Sequence, residues 1–252
     1  MIHGNYIEQL QTILERIRRE QGANIKLAGH LVAESISRGG ILHTFGTGHS
    51  HIIAEEIFFR AGGIAPVNPI LDERLIFLKG ALESTRAERE SGLARQLIER
   101  ENIKAEDVAL IISNSGRNAA PVEMALVMQE RGVAVVAITN IEQSRSAEPR
   151  QSSGKKLYEV ADVAIDNCVP AGDAVLSIDG LASPTGASST VAGAAIAHSI
   201  IIEALSELLR LGVSVPILPS ANLAGTTSDE LRETLGPYRD RIRYLDLETE
   251  ID

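Results

Sequence analysis

The stretch Val108-Ala109-Leu110-Ile111-Ile112-Ser113-Asn114-Ser115-Gly116-Arg117-Asn118 decides the reading of this chain. An aliphatic run stops at Ser113, two serines flank an asparagine, and Gly116 leads into a helix-starting segment. A run of this length and composition suits a parallel strand covered on both faces. Ser113, Ser115 and Asn118 then offer neutral hydrogen-bond partners, and Gly116 lacks the Cβ that would block close approach. The following helix aims its unpaired N–H groups and positive dipole end at the same spot, which makes a cradle for an anion. The same residues also suit an ordinary strand–loop–helix link capped by serines.

A second copy of the design favours the cradle. Gly40-Ile41-Leu42-His43-Thr44-Phe45-Gly46-Thr47-Gly48-His49-Ser50 again reads strand, glycine turn, hydroxyl and helix. A dinucleotide fingerprint would need a third glycine at position 51 and an acid closing the next strand. Position 51 is His51, and the next strand-like segment, 64–68, ends without an acid. Neither loop carries the Lys-Ser/Thr pair of a nucleoside-triphosphate loop. Two hydroxyl-bearing loops without a lysine clamp suit a single phosphate on a small molecule.

Working outward, the chain alternates strand and helix. Strands are expected at 41–45, 64–68, 108–113, 133–139 and 160–166, and helices at 50–61, 85–101, 119–132, 190–211 and 227–241. Irregular stretches are expected at 69–84 and 141–156, and an acidic tail closes the chain. Residues 5–37 form a long leading helix with a break near Gly22. With no strand before it, that helix is expected to pack on the sheet's edge or, preferably, on a second subunit. The pattern implies an α/β three-layer sandwich, a parallel sheet between two layers of helices. Ligands in such sheets sit beyond the carboxyl ends of the strands, where both serine loops fall. The expected organisation is a helical arm (1–38), a ligand-binding domain (39–212) and a helical extension on that domain (213–252).

Composition narrows the classes. The 252-residue chain has 44% hydrophobic residues, 3% aromatic and no Trp, so its core must be aliphatic. Lys and Arg number 24 against 34 Asp and Glu, a net charge of −10, which argues against a nucleic-acid partner. The one cysteine, Cys168, leaves no internal disulfide and fits a reducing cytoplasm. No secretory core or apolar run of membrane-spanning length is read from the sequence, so no membrane partner is expected.

With both loops in place, the chain resembles the sugar isomerase (SIS) domain family on its phosphoheptose-isomerase-like side. Gly46-Thr47-Gly48-His49-Ser50 and Ser113-Asn114-Ser115-Gly116-Arg117-Asn118 carry the resemblance, which runs from about residue 40 to 211. It implies a five-stranded parallel sheet of flavodoxin-like order, a homodimer and a phosphorylated sugar as ligand. It also implies that the phosphate is held by Ser50, Ser113 and Ser115 with Gly48, His49, His51, Asn114, Gly116 and Asn118 around it. Asn118 stands where the family usually has Ser or Thr. Ser188, Ser189 and Thr190 resemble the Ser/Thr element that closes over the sugar, though one of these serines also serves as a helix cap.

Aldose–ketose isomerisation needs a base near C2 and a second acid–base group, and it requires no metal or cofactor. Candidate bases are Glu55 and Glu56, one turn earlier than the family's glutamate; both also complement a helix dipole. His198, on the apolar face of 190–211, matches a catalytic histidine of that family or is a core histidine. His43 reads as structural, and His49, His51 and Glu55 make a poor metal set. Asp72, Glu73 and Arg74 fall where lids occur, Arg145, Arg150 and Lys155 give positive charge to a loop, and Asp179 could meet a sugar hydroxyl. The leading expectation is a sugar-phosphate isomerase. The alternatives are a non-catalytic sugar-phosphate sensor and an amino-sugar phosphate etherase or lyase.

Overall fold

Side-chain alternation along five aliphatic strands sorts the core into two layers. The computed structural model describes residues 2–220 and 227–248. In chain order the strands are β1 (Leu42–Gly46), β2 (Val67–Ile70), β3 (Val108–Ile112), β4 (Ala134–Thr139) and β5 (Val163–Asp166). They stand in the order β2-β1-β3-β4-β5 with every neighbouring pair parallel, the flavodoxin-like order. Val108, Leu110 and Ile112 face one side of the sheet, while Ala109 and Ile111 face the other. Both sides are covered, which is why the central β3 is apolar along its whole length.

One face is covered by α2 (Gly22–Ser37), α3 (Ser50–Glu56) and α9 (Ser189–Arg210), joined by the inner residues Ile13 and Ile17 of α1 (Ile2–Glu20). The other face is covered by α5 (Leu93–Ile98), α6 (Ala119–Glu130) and α8 (Leu157–Val160), with Ala87 at the end of α4 (Ala81–Ala87). The leading helix does break, at Gln21, but α2 lies on the sheet beside α9 within the same chain. α2 therefore lies on a face of the sheet rather than at its edge. Ala28, Val32, Ala33 and Ile36 give α2 an apolar side wide enough to cover strands. The helix α9 is long and apolar enough to cross a membrane by length and composition, so a run of that length does exist. Its Ile196, Ala197, Ile200 and Ala204 are buried in the layer over the sheet.

Several boundaries move for local reasons. The second strand begins at Val67 because Ile64 bridges Ile217 and Ala65 bonds to Pro216, tying the end of the chain to this edge. The helix after the first loop stops at Glu56, and Phe59 takes a left-handed φ of 44°. The expected helix 85–101 is two, because Gly92 adopts φ 85° and its N–H bonds to Glu123. The polar stretch 141–156 contains α7 (Ile141–Ser146), started by the Asn140 side chain accepting from the Gln143 amide at 2.9 Å. A small exposed hairpin, β6 (Ala174–Leu176) and β7 (Thr185–Ala187), precedes α9. The extension carries α10 (Ser228–Leu235), after which Pro237 turns the chain into a 3₁₀ turn. Parts of that extension, 221–226 and the acidic end 249–252, lie outside the described residues.

Beneath the opposite, amino-terminal edge of the strands lies a buried charged network. Asp107 accepts from His43 Nε2 at 3.0 Å, from Arg241 Nη2 at 2.7 Å, and from the amides of Ile41 and Lys104. The Asn68 amide donates to His43 Nδ1 and to Glu101. His43 is thus structural. Burial pushes the Asp107 carboxyl up, but His43, the Lys104 amide and Arg241 outweigh it and bring the value to about 2.

Candidate functional site

The strand order reverses between β1 and β3, and their carboxyl ends open a crevice there. Both hydroxyl-bearing loops meet in it. A cleft of about 420 Å³ is lined by Thr47, Gly48, His49 and Ser50 from the first loop and by Ser113, Asn114, Ser115 and Asn118 from the second. Ser189 at the start of α9 closes one side. Phe77 and, from α4, Ser84 and Thr85 supply another wall, whereas Asp72, Glu73 and Arg74 line a separate cavity with Arg100 and Arg243.

The second loop is shaped by Gly116, which has φ 59°. A Cβ there would stand 2.6 Å from Thr139 Oγ1 and 3.0 Å from Ser144 Oγ. Its amide donates to Ser113 Oγ at 3.2 Å, and its carbonyl accepts from the Leu157 amide. Gly116 therefore builds the turn without lining the cleft. Asn114 is pinned by Asn167 Nδ2, which donates to its Oδ1 at 2.8 Å. In the first loop His49 lies against Phe77 with ring centroids 4.7 Å apart. His51 donates through Nδ1 to the Gly48 carbonyl and is outside the lining.

Two carboxylates that sequence reasoning missed stand in the cleft. Glu88, just after α4, accepts from Thr47 Oγ1 at 3.0 Å and from Asn118 Nδ2 at 2.8 Å. It thus ties the first loop to the second. Burial raises its carboxyl above the ordinary value, and the Thr47 hydroxyl, Arg89 and Arg150 offset only part of that. In sequence Glu88 lies within Arg86-Ala87-Glu88-Arg89-Glu90, which reads as a solvated charged face; no local signal marks it. Asp173 accepts through Oδ1 from the amides of Ser188 and Ser189 at 2.9 and 2.6 Å, and through Oδ2 from Ser189 Oγ at 2.8 Å. The dipeptide Gly172-Asp173 was its one visible signal, a turn in which Asp173 takes φ 71°.

The other expected residues fall elsewhere. Ser188 is fully buried with its hydroxyl on Asp173, and Thr190 borders only a small hollow shared with Ser50, Asn114 and Ser189. Glu55 is exposed on α3. Glu56 faces His198 Nε2 at 3.3 Å and Arg60, and none of Glu55, Glu56 and His198 lines the cleft. The seven-residue α3 turns its far end away from the loop that starts it. Arg145 lies over Tyr158, Asp179 is exposed in the hairpin loop, and Arg150 reaches Asn118 Oδ1 at 3.3 Å. Among the described residues no group of three His, Cys, Asp or Glu side chains converges to hold a metal ion. The cleft therefore offers hydroxyls, amides and two helix starts to an anion, with a desolvated carboxyl beside them.

The profile of the family described as "SIS domain" matches residues 5–140. The UPF0309 protein of Geobacillus kaustophilus is 40% identical over 240 residues, covering 95% of each chain. The UPF0309 protein of Caldanaerobacter subterraneus is 40% identical over 243 residues, covering 95% of this chain and 98% of its own. Among solved structures, a phosphoheptose isomerase from Francisella tularensis superposes with a TM-score of 0.51 at 18% identity, covering 81% of this chain and 96% of that one. The phosphoheptose isomerase of Neisseria gonorrhoeae gives 0.53 at 14% identity, covering 81% and 97%. The NanR protein of Vibrio vulnificus, complexed with ManNAc-6P, gives 0.50 at 14% identity, covering 94% and 69%. These three likenesses speak for the fold.

Proposed function

Because the chain belongs to the SIS domain family, we propose that its cleft holds a phosphorylated sugar and interconverts aldose and ketose forms. Ser50, Ser113 and Ser115 bind the phosphate with the amides that start α3 and α6. Glu88 is the base: its carboxylate takes the proton from the carbon beside the carbonyl and returns it to the neighbouring carbon. His49, on the same wall, carries the second proton between the two sugar oxygens. In this proposal Glu88 takes the role that the family resemblance implies for Glu55 or Glu56, and His49 the one it implies for His198. The reading rests on one observation, a desolvated carboxyl bridging both hydroxyl loops inside the cleft.

The protein acts in the cytoplasm as a homodimer. A buried unpaired Cys168 supports the first, and the exposed Val191, Ile202 and Leu209 along α9 support the second.

The test is a panel of aldose and ketose phosphates in D₂O, followed by NMR for interconversion and for deuterium entering at the carbon next to the carbonyl. Wild type should do both for at least one sugar. Glu88→Gln should bind that sugar and lose about 10²- to 10⁴-fold in turnover. If a sugar phosphate binds but none is converted or deuterated, the isomerase reading fails and a sensor remains.

A further inference from the structure

Three guanidinium groups stand near one another and near Glu88 beside one end of the cleft, none of them within ion-pair distance of a carboxylate among the described residues. Arg117 directly precedes Asn118, Arg89 directly follows Glu88, and the Arg150 amide donates to the Arg117 carbonyl at 2.9 Å. Arg150 Nη1 also donates to Asn118 Oδ1, and the Asn118 amide in turn donates to Glu88. Among the described residues none of the three makes an ion pair, whereas most arginines of this acidic chain do. Desolvation, and then repulsion from Arg117 and Arg89, hold the Arg150 guanidinium below its ordinary value, with Glu88 offsetting only part of this. None of them lines the cleft; their link to it is through Asn118 and Glu88. Three like charges facing a single carboxylate are unfavourable unless a further anion meets them, and guanidinium forks match carboxylate and phosphate oxygens.

We infer that Arg89, Arg117 and Arg150 form a second anion subsite at the rim, so the substrate is a phosphosugar bearing a further carboxylate or phosphate group. The inference rests on the phosphate reading of the serine loops and adds the class of substrate. The serines hold one anionic end, and the arginines receive the other beyond Asn118.

Calorimetric titration of the full chain at matched ionic strength tests this with two pairs of probes. Fructose 6-phosphate is compared with fructose 1,6-bisphosphate, and glucose 6-phosphate with 6-phosphogluconate. In wild type the doubly anionic member of at least one pair should bind about tenfold more tightly than its partner. The responding pair tells whether phosphate or carboxylate is preferred. In Arg117→Gln/Arg150→Gln and in Arg89→Gln, the advantage should vanish while monophosphate affinity stays unchanged. No advantage in wild type, or one that survives in these variants, overturns the subsite and leaves the serine cradle standing. An equal loss of monophosphate affinity in the variants overturns it too, because the arginines would then hold the only phosphate. Should none of the four sugars bind, the phosphate reading itself has failed and the subsite falls with it.

Discussion

Replacing Asp107 by Asn removes a charge from the network below the sheet while keeping the side chain's shape. Asp107 and His43 have fully buried side chains, and Arg241 is 10% exposed. The carboxyl stands at about 2 in the folded chain against an ordinary 3.8. That gap corresponds to about 2–3 kcal/mol of stability from ionisation alone. The folded value lies below the unfolded one, so the contribution is complete above about pH 4 and disappears as the pH falls toward 2. The variant should lose more than this at pH 7, about 3–5 kcal/mol, because Arg241 and its contacts are left without a counter-charge. Urea unfolding of both proteins followed by circular dichroism at pH 7, 4 and 2 measures the difference. Two signatures are expected together: a lower midpoint at pH 7, and a shallower fall in stability between pH 4 and 2 than in wild type. A loss below about 1 kcal/mol at pH 7, with an unchanged acid slope, would falsify the claim that this network anchors the end of the chain.

Three further outcomes follow from the cleft. Gly116→Ala places a Cβ 2.6 Å from Thr139 Oγ1 at a left-handed φ and should cost about 2–5 kcal/mol by strain and overpacking, read as a lower melting temperature. Ser113→Ala/Ser115→Ala should weaken phosphosugar binding about 10- to 100-fold in calorimetry while shifting the melting temperature of the free protein by only a few degrees. An unchanged affinity would remove the second loop from the phosphate site. The rate catalysed by Glu88 should fall on the acid side with a midpoint above the ordinary carboxylate value, because burial raises that group and the base must be ionised. A pH–rate profile that is flat down to pH 4 would sink that role.

The sheet was legible because its strands are covered on both faces, and such strands advertise themselves as unbroken aliphatic runs such as 108–112. The two loops were legible for a related reason: each places hydroxyls and glycine where a strand must stop. The acid was not. Glu88 becomes special only when α4 swings it between Thr47 and Asn118, residues 41 and 30 positions away in sequence. Its neighbours in sequence are arginines and a glutamate on a half-exposed turn, so local pattern hides what the tertiary contact creates. Glu55 and Glu56 show the opposite case: they are near Ser50 along the chain, yet neither lines the cleft. The hairpin β6–β7 escaped notice because strands of three exposed or half-exposed residues have no core face to betray them.

Asp173 plugs the positive end of α9 with a carboxylate of the protein's own. Any anion drifting into the cleft meets repulsion from Asp173 and attraction from the amides that start α3 and α6. For a ligand with one charged and one hydroxylated end, that field favours the orientation that keeps the charge away from Asp173. The hydroxylated end is left to face Asp173, an acceptor suited to sugar O–H groups. Polarity of entry is written into the pocket by a single turn residue.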